Sequence, residues 1–140
     1  MRRAVSTTGQ IILGTLLLFT GTAHLTFARA EFQAQVPSWL PIAKNVVVVA
    51  SGVVELCLAV ALLATWRQPA RGIVGALTAA FFVAILPGNI AQFTEHKDGF
   101  GLDTDAARAI RLLFQPLLVL WALAATSAVP ALRSLRRRRA

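Results

Sequence analysis

Hydrophobic positions along the chain fall into four long blocks, separated by short stretches in which charge, proline and glycine collect. The blocks run over 9–28, 42–65, 72–93 and 109–128. A helix that crosses a bilayer needs about 20 predominantly apolar residues, and each block meets that length. The pattern predicts an all-α fold, a four-transmembrane-helix bundle in a single integral membrane domain spanning 1–140, with a basic tail over 129–140. Polar residues within the blocks recur at helical spacing. Gln10, Gly14, Gly21 and His24 share one stripe, Asn45, Gly52, Glu55 and Ala59 a second, and Thr78, Phe82, Asn89 and Gln92 a third.

The connections sort by charge. The turn Trp66-Arg67-Gln68-Pro69-Ala70-Arg71 is short and basic, whereas 94–108 carries Glu95, Asp98, Asp103 and Asp105 with two loosening glycines, Gly99 and Gly101. That acidic connection is expected to be solvated and mobile. The other outer connection, 29–41, holds Val36-Pro37-Ser38-Trp39-Leu40-Pro41, whose prolines oppose a regular helix and whose tryptophan suits a headgroup level. Nine of the 14 basic residues (Arg2, Arg3, Arg67, Arg71, Arg133 and Arg136 to Arg139) lie on the side of the short turn. Positive-inside bias therefore puts both termini in the cytoplasm, with the chain expected in the cell inner (plasma) membrane and anionic lipid as a contact. A competing reading of the first block treats Ala28-Arg29-Ala30 as a signal cleavage point, which would leave three crossings. The block is longer than the roughly 7–15 residues of a signal core, and this favours a crossing.

Composition agrees: 56% of residues are hydrophobic, 14% are charged, and mean hydropathy is +0.66. The net charge of +8 is accounted for by topology, so no nucleic acid partner is expected. The single cysteine, Cys57, allows no intrachain disulfide and excludes the paired-thiol chemistry of membrane reductases. No phosphate loop, metal-ligand spacing or nucleophile elbow occurs, so no metal and no resident cofactor is expected, and the chain is not expected to be an enzyme on its own.

Ionisable and amide groups inside hydrocarbon are costly and mark candidate sites. Glu55 falls near mid-membrane, about 15 Å from the inner helix end and about 20 Å from the outer. Pro87 and Pro116 release the carbonyls of Val83 and Leu112, predicting breaks in the outer halves of the third and fourth helices. His24, Asn89, Arg111 and Gln115 then lie at comparable depth above Glu55 and are candidates to line one ligand cavity. Rise counting separates His24 from Glu55 by about 8 to 14 Å in depth. The same residues also suit interhelical hydrogen bonding, and Arg111 suits snorkelling outward or pairing with Asp105.

Gly21-Thr22-Ala23-His24-Leu25, Phe32, Val36-Pro37-Ser38-Trp39-Leu40-Pro41, Ser51-Gly52-Val53-Val54-Glu55, Leu86-Pro87-Gly88-Asn89-Ile90 and Arg111-Leu112-Leu113-Phe114-Gln115-Pro116 occur in that order. The set resembles the DoxX-like membrane proteins over about residues 10–128. It departs from them at Gly88, where Pro-Ala-Asn is more usual. The resemblance implies a four-helix membrane bundle with polar positions at His24, Glu55, Asn89 and Gln115. It also implies a link to quinone-coupled or oxidative-stress complexes. The resulting expectation is a small subunit that binds a quinone or similar lipid-soluble ligand, aided by a membrane or peripheral redox protein and open to forming a homo-oligomer. Its alternatives are a non-catalytic scaffolding subunit and, with less support, a small transporter.

Overall fold

The structure, a computed structural model, describes residues 2–139. Its helices are α1 (Arg2–Leu25), α2 (Arg29–Phe32), α3 (Lys44–Ala64), α4 (Ala70–Ala84), α5 (Leu86–Thr94), α6 (Asp105–Thr126) and α7 (Ala128–Arg139). A 3₁₀ turn, Gln33–Gln35, follows α2, and no strand occurs among the described residues. Four stretches are long and apolar enough to cross a membrane: Ala4–Leu25, Lys44–Ala64, Ala70–Thr94 and Asp105–Thr126. Between 22% and 28% of each apolar window is buried within the chain, so most of the apolar surface faces outward. Phe19, Val60, Leu113 and Leu120 are among the exposed side chains.

The helix ends differ from the hydropathy blocks for local reasons. α6 begins at Asp105 rather than 109 because the Thr104 hydroxyl accepts from the Ala107 amide (3.2 Å) and Asp105 sits favourably in the first turn. The tail expected over 129–140 continues as α7 after Ser127 adopts a left-handed φ of 56°. Ala128 and Ala131 of α7 are buried, and Ala131 abuts Gly72 of α4. Arg133, Arg136, Arg137 and Arg138 remain exposed.

Of the two expected proline breaks, one forms. The third crossing divides at Ile85, which puts Pro87 in the first turn of α5, where its missing N–H is no loss. α6 runs unbroken through Pro116.

The most extensive helix contacts pair α1 with α3 and α4 with α6. Small residues permit both. Gly21 and Gly52 face each other across α1 and α3, and a Cβ added at Gly75 of α4 would lie 1.7 Å from Thr126 Oγ1 of α6. Leu13, Leu17, Ala59, Leu62, Ala79, Phe82 and Ala122 form the apolar core between the pairs.

At the end carrying the 65–69 turn, Arg71 organises a polar cluster. Its Nη2 donates to the Ala125 carbonyl (2.7 Å) and to Ser6 Oγ (2.9 Å), and its Nε donates to Gln10 Oε1. Gln10 Nε2 in turn donates to the Leu62 and Thr65 carbonyls (2.6 and 2.9 Å), and Gln68 Nε2 to the Thr126 carbonyl (2.7 Å). The carbonyl-bearing ends of α3 and α6 thus converge on one guanidinium and two amides, which fill acceptors left open where helices stop. Gln10 and Arg71, read from sequence as a packing position and a topology charge, join four segments.

The connections 29–41 and 94–108 are tied together, contrary to the expected mobile loop. Glu95 accepts from the Ser38 amide (3.2 Å), from the Ser38 hydroxyl and from Lys97 Nζ (2.6 Å). Lys97 also donates to the Val36 carbonyl (2.6 Å), and the Phe100 amide donates to Glu31 Oε2 (2.6 Å). Arg108 is buried and bonded to Asp105 (2.8 Å), to Asp98 and to the Lys97 carbonyl (3.2 Å). Donors from Lys97 and then Ser38 hold the Glu95 carboxyl down from the usual 4.5 to about 2. A depressed folded-state pKa stabilises the fold above the unfolded value of about 4.5, and the contribution fades as pH falls towards 2. The unfolding midpoint of Glu95→Gln is therefore expected to lie below wild type at pH 6, with the gap closing between pH about 4.5 and 2. A gap independent of pH would show that the carboxylate charge does not tie these connections.

Candidate functional site

α1 and α3 meet so closely at Gly21 and Gly52 that His24 and Glu55 touch. His24 Nδ1 lies 3.0 Å from Glu55 Oε2, and both side chains are buried. This corrects the separation in depth expected from rise counting. α1 ends one residue beyond His24, whereas α3 extends in the same direction for the eight residues Lys44 to Ser51 past that level, about 12 Å. The two helices are staggered, so equal counts from their ends do not mean equal depths.

The same Nδ1 lies 2.9 Å from the Thr20 carbonyl, towards which an N–H there is directed, and Glu55 Oε2 has no aligned donor. Two acceptor oxygens thus compete for one imidazole proton. Phe32 stacks on the imidazole with ring centroids 3.3 Å apart, and Phe100 packs edge-on against Phe32 at 4.6 Å.

The pair forms one wall of a cavity of about 300 Å³. Arg111, Gln115 and Phe82 line it from α6 and α4, Ser51 and Val48 belong to the α3 wall, and Phe32, Val36 and Trp39 of the 29–41 connection complete the lining. Gln115 is held by its Nε2 donating to the Phe82 carbonyl (2.7 Å), just before the Ile85 break. Arg111 Nη1 lies 3.5 Å from Gln115 Oε1. Arg111 does not pair with Asp105, which is taken by Arg108 and His96 (both 2.8 Å). Its guanidinium lines the cavity instead.

His24, Glu55, Arg111 and Gln115 are therefore brought together, and Asn89 is not. Asn89 is buried on the inward face of α5, one turn from Gln92, outside the cavity lining. Both its side-chain polar atoms, and Gln92 Nε2, lack protein partners. Gln35 lines the cavity without having been marked by sequence, and Phe32, quoted there only as part of the resemblance, lines it too, because apolar periodicity says nothing of where a connecting segment folds back. Arg108 was also missed. Its signal was the i,i+3 spacing from Asp105 behind a threonine cap. No group of three His, Cys, Asp or Glu residues able to hold a metal occurs among the described residues.

Fold and cavity together define an all-helical bundle with four membrane-length apolar helices around a small interior polar site. The chain belongs to the family described as Domain of unknown function (DUF8561), whose model matches residues 13–126. Every residue that lines the cavity falls within that match, whereas Ser6, Gln10 and α7 fall outside it. No curated protein and no solved structure matches the chain.

Proposed function

We propose that this is a multi-pass protein of the bacterial inner (plasma) membrane, with both termini cytoplasmic, that binds a quinone or similar lipid-soluble ligand in its interior cavity. The orientation is supported by charge. Five of the six acidic residues (Glu31, Glu95, Asp98, Asp103 and Asp105) belong to the outer connections or the start of α6, opposite the arginines of α7 and the 65–69 turn. Outward-facing apolar surface on every long helix suits hydrocarbon and not water.

The observation that carries the ligand reading is the buried His24–Glu55 contact facing Arg111 and Gln115 across the cavity. A volume of about 300 Å³ is at the lower end for small-molecule sites, enough for one ring bearing a few oxygens. Arg111 is a fixed donor for a carbonyl oxygen. His24 with Glu55 supplies a group able to pass a proton to a ring oxygen that gains negative charge. Electrons would come from a membrane or peripheral redox partner, since the residues here offer no redox centre of their own. The DoxX-like resemblance at these positions points the same way.

In lipid nanodiscs, Glu55→Gln and His24→Ala are each expected to weaken binding of a short-chain benzoquinone about tenfold or more, with helix content retained. Quenching of Trp39 fluorescence offers a readout, because Trp39 lines the site. Unchanged binding in both variants, or none in wild type, would remove the proposal. One observation favours a scaffolding subunit instead: Gln115 already serves as a bond between α6 and α4. On that reading the same substitutions destabilise the bundle and ligand occupancy is irrelevant.

A further inference from the structure

A second depression, of about 590 Å³, opens on the outward face between the α4–α5 crossing and α6. Its walls include Val83, Leu86, Ile90, Leu113, Pro116 and Leu120, and its one polar lining residue is Gln115. Phe82 and Gln115 line both this groove and the interior cavity, so a single layer formed by these two residues separates them.

That layer stands where a proline removes a backbone donor from each flanking crossing. The third crossing is interrupted at Ile85, and α6 contains Pro116, which deprives the Leu112 carbonyl of its helical donor. A helix bends most readily where a proline has removed a bond from its backbone ladder. Across the layer, Gln115 Nε2 donates to the Phe82 carbonyl.

We infer that the groove and the cavity are two parts of one site, entered sideways from the bilayer. A single lipid-soluble molecule would seat its ring in the cavity and its aliphatic tail in the groove, with the Gln115–Phe82 contact as the latch between them. This rests on the ligand reading above and adds the class of ligand, a ring with a hydrocarbon tail, and its route. The tail is argued from the adjacency of the two spaces, one layer of side chains apart, and from their different linings: His24, Glu55 and Arg111 line the cavity, and apart from Gln115 in the shared layer the groove is lined by apolar residues. A tail moving from lipid into the groove gains packing and little transfer energy, so its effect on affinity is modest.

The test compares a tailless benzoquinone with the same ring carrying a decyl chain, in nanodiscs of one lipid composition. The proteins are wild type, Leu113→Trp and Leu120→Trp. Both substituted positions are exposed, so either tryptophan fills the groove without entering the core. Partition of each quinone into the lipid is the same for every protein, so ratios between proteins are free of it. The decyl compound is expected to lose about threefold to tenfold in affinity in the tryptophan variants, while the tailless compound keeps its wild-type affinity. A decyl compound that binds all three proteins alike would overturn the inference and leave the cavity reading standing. Failure of both compounds to bind wild type would remove the two together.

Discussion

Arg71→Ala is expected to cost about 2 to 4 kcal/mol of stability, measured as the unfolding free energy of the purified protein in detergent or nanodiscs. The guanidinium makes bonds to Gln10, Ser6 and the Ala125 carbonyl, none of which is a carboxylate. Its removal leaves the Gln10 oxygen without its donor and weakens the hold of Gln10 on the Leu62 and Thr65 carbonyls. Three helices and the turn between α3 and α4 lose their common partner together. The expected loss therefore exceeds the roughly 1 kcal/mol typical of one hydrogen bond. Arg71→Lys keeps the charge but replaces a planar fork with a single ammonium group, which cannot serve Gln10 and Ala125 in the same geometry, so it should recover only part of the loss. If alanine at this position were neutral, Arg71 would serve topology alone.

How much of this was visible beforehand depended on whether a feature is local. Four crossings follow from runs of apolar residues, a signal carried by each segment alone. The start of α6 was placed late because a capped first turn containing Asp105 and Arg108 looks like loop to a hydropathy scale. α7 went unread for a similar reason, since its arginines obscured a helix that docks through Ala128 and Ala131.

The site was legible as residue types and illegible as geometry. Burial cost alone singled out His24, Glu55, Arg111 and Gln115, and all four line the cavity. Their contacts depend on stagger between helices, which is set by which glycines meet, and no single-helix periodicity contains that. Asn89 shows the converse limit. It shares its stripe with Phe82, but the Ile85 interruption lies between them, so one face of a continuous helix becomes two faces of a bent one. The expectation that it joins the others carried helical spacing across a break that Pro87 itself predicts.

The stagger itself is open to a direct test at Gly52. An added Cβ there would lie 2.6 Å from His24 Cβ, 3.1 Å from Leu25 Cδ2 and 3.2 Å from the Gly21 carbonyl oxygen. The first and last of these are backbone or atoms fixed to it, so no side-chain rotation relieves the overlap and α1 must move away from α3. Gly52→Ala is expected to cost about 2 to 3 kcal/mol, the upper range for overpacking, and to draw the imidazole off Glu55, visible as a shift of the His24 ring nitrogens in ¹⁵N NMR. Gly21→Ala, whose new atom would come no closer than 3.0 Å to its neighbours, should be milder. The overlap is with the Cβ of His24, so His24→Ala should leave the cost of Gly52→Ala in place, whereas His24→Gly should remove much of it. A double-mutant cycle sets aside the separate penalty of about 1 kcal/mol for a glycine in a helix. If His24→Gly gave no coupling with Gly52→Ala, the close approach of these two positions would not be what brings the histidine to the carboxyl group.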